Sequence, residues 1–219
     1  MSNKTETPAN DDTRERLLDE AERLFAERGF KAVSVREITT AANCHLAAIN
    51  YHFGSKQNLY VEVFRSRWVP RAKRIRSRLE ALRENGQPPV EQVIRTLATA
   101  FWGVFESDEE IFRHRHLLAQ ELANPGEAFD LVVNEAMRPN FQLMFQLLRP
   151  NIPPSVTDRR LFLFILSMLA QVIFFNMARF AIGRIMEVEF DDDLMKALAE
   201  HFVDFTLHGL PFEQKEGSS

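Results

Sequence analysis

One cysteine, Cys44, stands among 219 residues. A lone thiol excludes an intramolecular disulfide framework and fits a reducing compartment. Long apolar runs are missing too. The most hydrophobic stretch, residues 161–175, carries Ser167 and Gln171 and falls short of the about 20 apolar residues of a bilayer span, so it reads as a buried helix. Residues 1–12, MSNKTETPANDD, are polar and acidic, without the apolar core of a signal peptide. The expectation is a soluble, cytoplasmic protein with no membrane partner. No segment alternates at period two, and no internal repeat is visible.

Catalytic constellations are equally scarce. There is no Gly-rich phosphate loop and no Gly-x-Ser-x-Gly. His114, His116 and Glu121 come nearest to a cluster. Two rings at i and i+2 on a helix point about 200° apart, and Gln120, the i+4 neighbour of His116, is a poor metal ligand. No enzyme activity, metal or cofactor is expected.

The net charge of −4 looks wrong for a nucleic-acid binder, yet it averages over opposite regions. Residues 31–60 hold Lys31, Arg36 and Lys56 against Glu37 alone, and residues 65–78 hold seven basic side chains and no acid. Residues 106–135 carry eight acids against Arg113 and Arg115. A local positive face is what phosphate contact requires. Within the run 65–78, only Arg65 or Arg67 is expected near enough to a DNA face to join it; most of the rest reads as solvated surface.

The pattern throughout is helical. Leu17, Leu18, Ala21, Leu24 and Phe25 repeat at helical spacing, with Asp12 or Thr13 as the cap and Gly29 as a left-handed stop. Ser34 caps a second helix to about Ala42, with Glu37 completing a capping box. Asn43 can take a positive φ in the turn. A third helix follows from Leu46 to His52, ended by Gly54. Ser55 caps a long fourth helix towards Glu84, disturbed at Pro70. Further helices are expected at 89–106, 108–123, 126–148 (with a kink at Pro139), 156–183 and 191–208. Residues 34–56 therefore read as a helix-turn-helix, whose second helix enters the major groove. Ile38, Ala42, Ile49 and Phe53 are its core.

The segments LLDEAERLFAERGF, SVREIT and INYHFGSKQNLY resemble the DNA-binding domain of the TetR family of bacterial transcriptional regulators. LAAINYHFGSK looks like the subgroup that includes regulators of fatty-acid and drug-response genes, and HLLAQELANPGEAFD is similar to a segment of that subgroup's ligand-binding half. Asn43 stands where the family usually has Gly, and His45 where a small capping residue is common. The resemblance implies an all-α fold: a three-helix DNA-binding domain joined by a long helix to a larger helical domain. The expected division is a tail at 1–12, a DNA-binding domain at 13–60, an effector and dimerisation domain at 61–210, and a tail at 211–219.

By the same resemblance, Arg36, Leu46, Ala47, Ala48, Asn50 and Tyr51 face bases, while His52 and Lys56 face the backbone. The chemistry agrees: Asn50 can pair bidentately with adenine, the small side chains suit thymine methyls, and Lys56 suits phosphate. The family implies a homodimer, here through helices 156–183 and 191–208, on double-stranded operator DNA. The middle helices are expected to hold a small hydrophobic or amphipathic effector, with Trp102, Phe105, Phe112, Met137, Phe141, Phe145 and Phe175 as walls and His116, Gln120 and Arg179 as polar groups. The implied function is a ligand-released repressor. An activator, or a helical interaction module without an operator, would use the same scaffold.

Overall fold

The computed structural model describes residues 8–102 and 107–209, and every regular element among them is helical. The order is α1 (Pro8–Arg28), α2 (Val35–Ala41), α3 (Ala47–Phe53), α4 (Lys56–Val63), a π-turn (Phe64–Trp68), α5 (Val69–Glu80) and a 3-10 turn (Ala81–Asn85). Then follow α6 (Val90–Trp102), α7 (Asp108–Ala123), α8 (Phe129–Val132), a second π-turn (Val133–Met137), α9 (Arg138–Leu148), a 3-10 turn (Arg149–Asn151), α10 (Asp158–Met186) and α11 (Asp192–Gly209).

These elements form two compact units. Residues 8–71 and 107–136 make the first, and residues 72–102 and 137–209 the second. The unit that carries the helix-turn-helix is thus larger than residues 13–60, because α7 and α8 belong to it. In this unit α1 packs on α2, α4 and α7, and α3 packs on α2 and α4. Leu17, Leu18, Phe25, Ile38, Ile49 and Leu59 are fully buried at the centre. Tyr60 donates from its hydroxyl to Glu121 Oε1 over 2.8 Å, and Trp68 Nε1 donates to the His114 carbonyl over 3.1 Å. Gln120 Nε2 donates to the carbonyls of Phe25 and Ala26, satisfying the open end of α1.

In the second unit α6 packs on α9, α10 and α11. Val93, Ile94, Ile165, Val172 and Phe202 are fully buried in its core. Arg95 links Glu91 and Glu200, tying α6 to α11.

One expectation needs correction and two take a specific form. Helix α1 begins at Pro8, so residues 8–12 are helical rather than a tail; proline suits a first turn because its missing N–H has no helical partner there. The fourth helix carries the disturbance expected at Pro70. Its break is a π-turn placed before Pro70, where the Val69 N–H donates to the Phe64 carbonyl five residues back. The helix expected over 126–148 begins at Phe129, and its expected irregularity near Pro139 is a π-turn at Val133–Met137.

Helix α10 also differs from a core helix. Phe162, Leu163, Leu166, Phe174, Met177, Phe180, Ile185 and Met186 are exposed on a single chain, and Phe205 of α11 joins them. No single helix among the described residues is long and apolar enough to cross a membrane. The limbs Asp158–Phe175 and Met177–Met186 reach that composition only as a pair, bent by 61°.

Candidate nucleic-acid interface

Local sequence builds the α2–α3 element. The Ser34 hydroxyl accepts from the Glu37 N–H, and the Glu37 carboxylate accepts from the Ser34 N–H over 2.8 Å, a complete capping box. The Ser34 hydroxyl, donating to the Glu37 carboxylate over 2.7 Å, then the Ser34 N–H, then Arg28 at 2.7 Å, hold the Glu37 carboxyl at about 2. Asn43 takes φ 51°, making the turn, and the Cys44 N–H donates back to the Thr39 carbonyl over 2.8 Å. Helix α3 then starts at Ala47, with Leu46 at its N-cap and no side-chain cap, so His45 plays no capping role. Gly54, at φ 79°, ends α3, and the Ser55 hydroxyl accepts from the Asn58 N–H to begin α4.

A helical repeat sorts the side chains of α3 into two faces. Ile49 and Phe53 are buried against α2 and α4, while Ala47, Asn50 and Tyr51 are exposed. Tyr51 is 73% exposed and Leu46 is 58% exposed. Two large side chains held out in water by a rigid short helix contribute nothing to this unit's core. Arg36, on α2, is exposed as well. His52 and Lys56 are half-buried at the flank: the His52 ring lies edge-on to Tyr51 at 4.9 Å, and the Lys56 ammonium sits 4.2 Å above the Phe30 ring. Burial, then the Arg14 charge, lowers the His52 pKa, and burial lowers that of Lys56.

The structure thus brings the eight DNA candidates onto three consecutive helices, α2, α3 and the start of α4, with Leu46 at the N-cap of α3. It also adds two residues without a local signal. Thr13 and Arg16 of α1, about 30 positions away, line a hollow of about 450 Å³ together with Ala47, Ala48, Tyr51 and His52. Arg65 and Arg67 are held in ion pairs. Arg65 pairs with Glu62, and Arg67 with Glu15 and Asp19 of α1.

The ligand candidates do not form one set. Phe112, His116 and Gln120 belong to the first unit; the Phe112 and His116 rings lie 3.8 Å apart, and Gln120 caps α1. Trp102, Met137, Phe141, Phe145, Phe175 and Arg179 belong to the second. There Trp102 packs edge-on to Phe175 at 6.4 Å and to Phe202 at 5.9 Å, Phe141 contacts Phe162 at 4.7 Å, and Arg179 stacks on Phe180 and Phe190. Phe105 lies outside the described residues. No group of three or more His, Cys, Asp or Glu side chains among the described residues could hold a metal ion.

Residues 17–63 match the family described as bacterial regulatory proteins, tetR family. Residues 90–210, more than half of the chain, match the C-terminal domain of the HTH-type transcriptional dual regulator CecR. The chain belongs to the TetR family of transcriptional regulators.

Among curated TetR-type relatives, the HTH-type transcriptional repressor KstR2 of Rhodococcus jostii is 41% identical over 66 residues, covering 28% of this chain and 32% of its own. The HTH-type transcriptional dual regulator CecR of Shigella flexneri is 23% identical over 223 aligned positions, covering 96% of this chain and 98% of its own. The chain therefore spans about a third of KstR2 but nearly all of CecR. Among solved structures, the fatty acid degradation regulator FadR of Bacillus halodurans superposes with a TM-score of 0.65 at 18% identity, covering 95% of this chain and 99% of its own, a likeness of fold.

Proposed function

We propose that this TetR-family chain is a ligand-responsive repressor that reads operator DNA as a homodimer. The observation that carries the reading is the open face of α3, where Leu46 and Tyr51 project into water beside Ala47 and Asn50 while Ile49 and Phe53 lock the helix from behind. In the major groove, Asn50 would pair with an adenine edge, Leu46, Ala47 and Ala48 would fit thymine methyls, and Tyr51 and Arg36 would reach base edges or phosphates. His52 and Lys56 would take backbone phosphates.

Two copies would place their α3 helices in successive grooves, about 34–36 Å apart. The exposed apolar stripe of α10, with Phe205 of α11, is the surface offered to the second copy. Apolar surface of this extent is costly in water and is what obligate interfaces cover. The effector reading rests on the second unit. Trp102 Nε1 is buried without a hydrogen-bond partner beside Phe175 and Phe202, and Thr206 Oγ1 of α11 is also buried and unpartnered. An amphipathic ligand with one acceptor would satisfy the indole and fill apolar space. It releases DNA only if it binds the DNA-incompetent state more tightly. Such a chain works in the cytoplasm, where its DNA is.

Repression is favoured by the name of KstR2, a repressor. The whole-length match to CecR, a dual regulator, favours a second reading in which the same contacts activate some promoters. The test is fluorescence anisotropy on DNA selected from genomic fragments. Asn50→Ala should cost about 1–3 kcal/mol on the selected site. Lys56→Ala should weaken all sequences alike and flatten the log affinity–log salt slope by about one. If the double variant keeps wild-type affinity and slope, α3 is not the reading helix.

A further inference from the structure

A hollow of about 480 Å³ opens between the α1–α2 turn and the α7–α8 connection, entirely within the first unit. Glu121 and Gln120 face it from α7, and Gly29, Phe30, Tyr60 and Gly126 are among its other walls. Glu121 is only 3% exposed. Its Oε1 accepts from the Tyr60 hydroxyl at 2.8 Å and its Oε2 from the Gly126 N–H at 3.0 Å. Neither donor is a cation, and among the described residues no Lys, Arg or His pairs with this carboxylate. The phenol stays protonated: burial, then the Glu121 charge, raises it above the ordinary range. A carboxylate buried without a counter-charge is costly, several kcal/mol for an ion out of water.

Gln120 supplies a second acceptor. Its Nε2 donates to the Phe25 and Ala26 carbonyls, which fixes the orientation of the amide. Its Oε1 is consequently turned away from them, buried and accepting nothing, 3.7 Å from where a side chain on Gly29 would begin. Glycine at φ 81° leaves that approach open. The rim charges are mixed: Lys31 and Glu127 are both exposed, and Arg28 is occupied by Glu37 and the Ala32 carbonyl.

We propose that this hollow binds a small organic cation, an ammonium group on a flat apolar body, with Glu121 as its counter-charge and Gln120 Oε1 as its second acceptor. The site is separate from the effector cluster around Trp102 and does not depend on the repressor reading. Occupied, it would bind α7 and the α7–α8 connection to the turn that precedes α2, so a ligand would act on the reading head directly.

The probe is 2-phenylethylamine, titrated into the full chain at neutral pH by calorimetry, with 2-phenylethanol as the neutral isostere. The amine should bind at least about tenfold more tightly than the alcohol, the worth of one charge-assisted hydrogen bond. Glu121→Gln should abolish that preference. Ala32→Phe, on the exposed rim, fills the hollow without touching the Glu121 bonds and should remove both ligands, which keeps the test decisive if the Gln variant folds poorly. Absence of amine binding, equal affinity for amine and alcohol, or amine affinity unchanged in Ala32→Phe overturns the proposal. Because binding is read without DNA, failure here leaves the operator reading untouched.

Discussion

Arg71→Met should destabilise the first unit by about 2–4 kcal/mol, an unusual cost for one charged side chain. The guanidinium donates to Glu22 of α1 through Nη1 and to Glu110 of α7 through Nε at 2.7 Å, with side-chain exposures of 12%, 2% and 15% for Arg71, Glu22 and Glu110. Taking away one partner of a buried pair leaves the other charged in a poor solvent, typically about 3–5 kcal/mol. Arg113, 3.6 Å from the other Glu22 oxygen, remains and trims that figure. Urea unfolding followed by circular dichroism and by Trp68 fluorescence measures the loss. In a double-mutant cycle with Glu22→Leu, the coupling should reach about 2 kcal/mol, because the double variant no longer buries the Glu22 carboxylate. Raising salt from about 0.1 to 0.5 M should change little, since buried pairs are poorly screened. A single-variant cost below about 1 kcal/mol, or coupling below about 0.5 kcal/mol, would refute the buried-network argument.

Other outcomes follow from the same physics. Ser34→Ala removes the α2 cap and should cost about 1 kcal/mol in chemical unfolding. Glu37, lowered from 4.5 to about 2, stabilises the fold above its ordinary value and loses that contribution as pH falls through about 2; a melting series from neutral to strongly acid pH should show a drop that Glu37→Gln lacks. His52, lowered by burial and Arg14 from 6.5, stabilises the fold fully above that value and sheds the contribution as pH falls through its lower native value. A phosphate beside it favours the imidazolium, so DNA affinity should rise as pH drops from about 7.5 towards 6, and His52→Gln should flatten that rise; an unchanged slope would remove His52 from the contacts. Phe174→Glu with Phe180→Glu, both exposed on α10, should give monomers in sedimentation and weaken operator binding; an intact dimer would move the interface elsewhere.

Features written into a few adjacent residues were legible. The Ser34–Glu37 capping box, the positive φ of Asn43 and the stops at Gly29 and Gly54 all rest on spacing within one turn. So did the two faces of α3, where apolar Ile49 and Phe53 alternate with Asn50 and Tyr51 at helical period. Contacts between distant residues carry no such mark. Tyr60 and Glu121 are 61 positions apart, and neither has a pattern announcing that α7 belongs with the reading head. Gln120 read as a pocket group because amide side chains suit ligands, yet its Nε2 is taken up by the end of α1. The apolar composition of α10 reads as a buried helix, but among its described side chains only Leu161, Ile165, Met168 and Val172 are buried in the chain itself. Periodicity records that a face is apolar, not which molecule covers it.

The two prolines show how a local defect becomes an architectural one. Pro70 and Pro139 each lack an N–H and crowd the carbonyl four residues back, and each follows a π-turn, at Phe64–Trp68 and Val133–Met137. The extra residue in such a turn moves that carbonyl aside. At the first turn, the Ser66 hydroxyl donates to the Glu62 carbonyl at 2.7 Å, so the disturbed ladder keeps a partner. Two of the chain's passages between compact units, at Arg71 and Ala72 and at Ala136 and Met137, lie among the described residues. Both crossings fall within three residues of a proline, where the helix has fewer backbone bonds to resist bending. Arg71, held by Glu22 and Glu110, is the last residue of the first unit before one of these crossings.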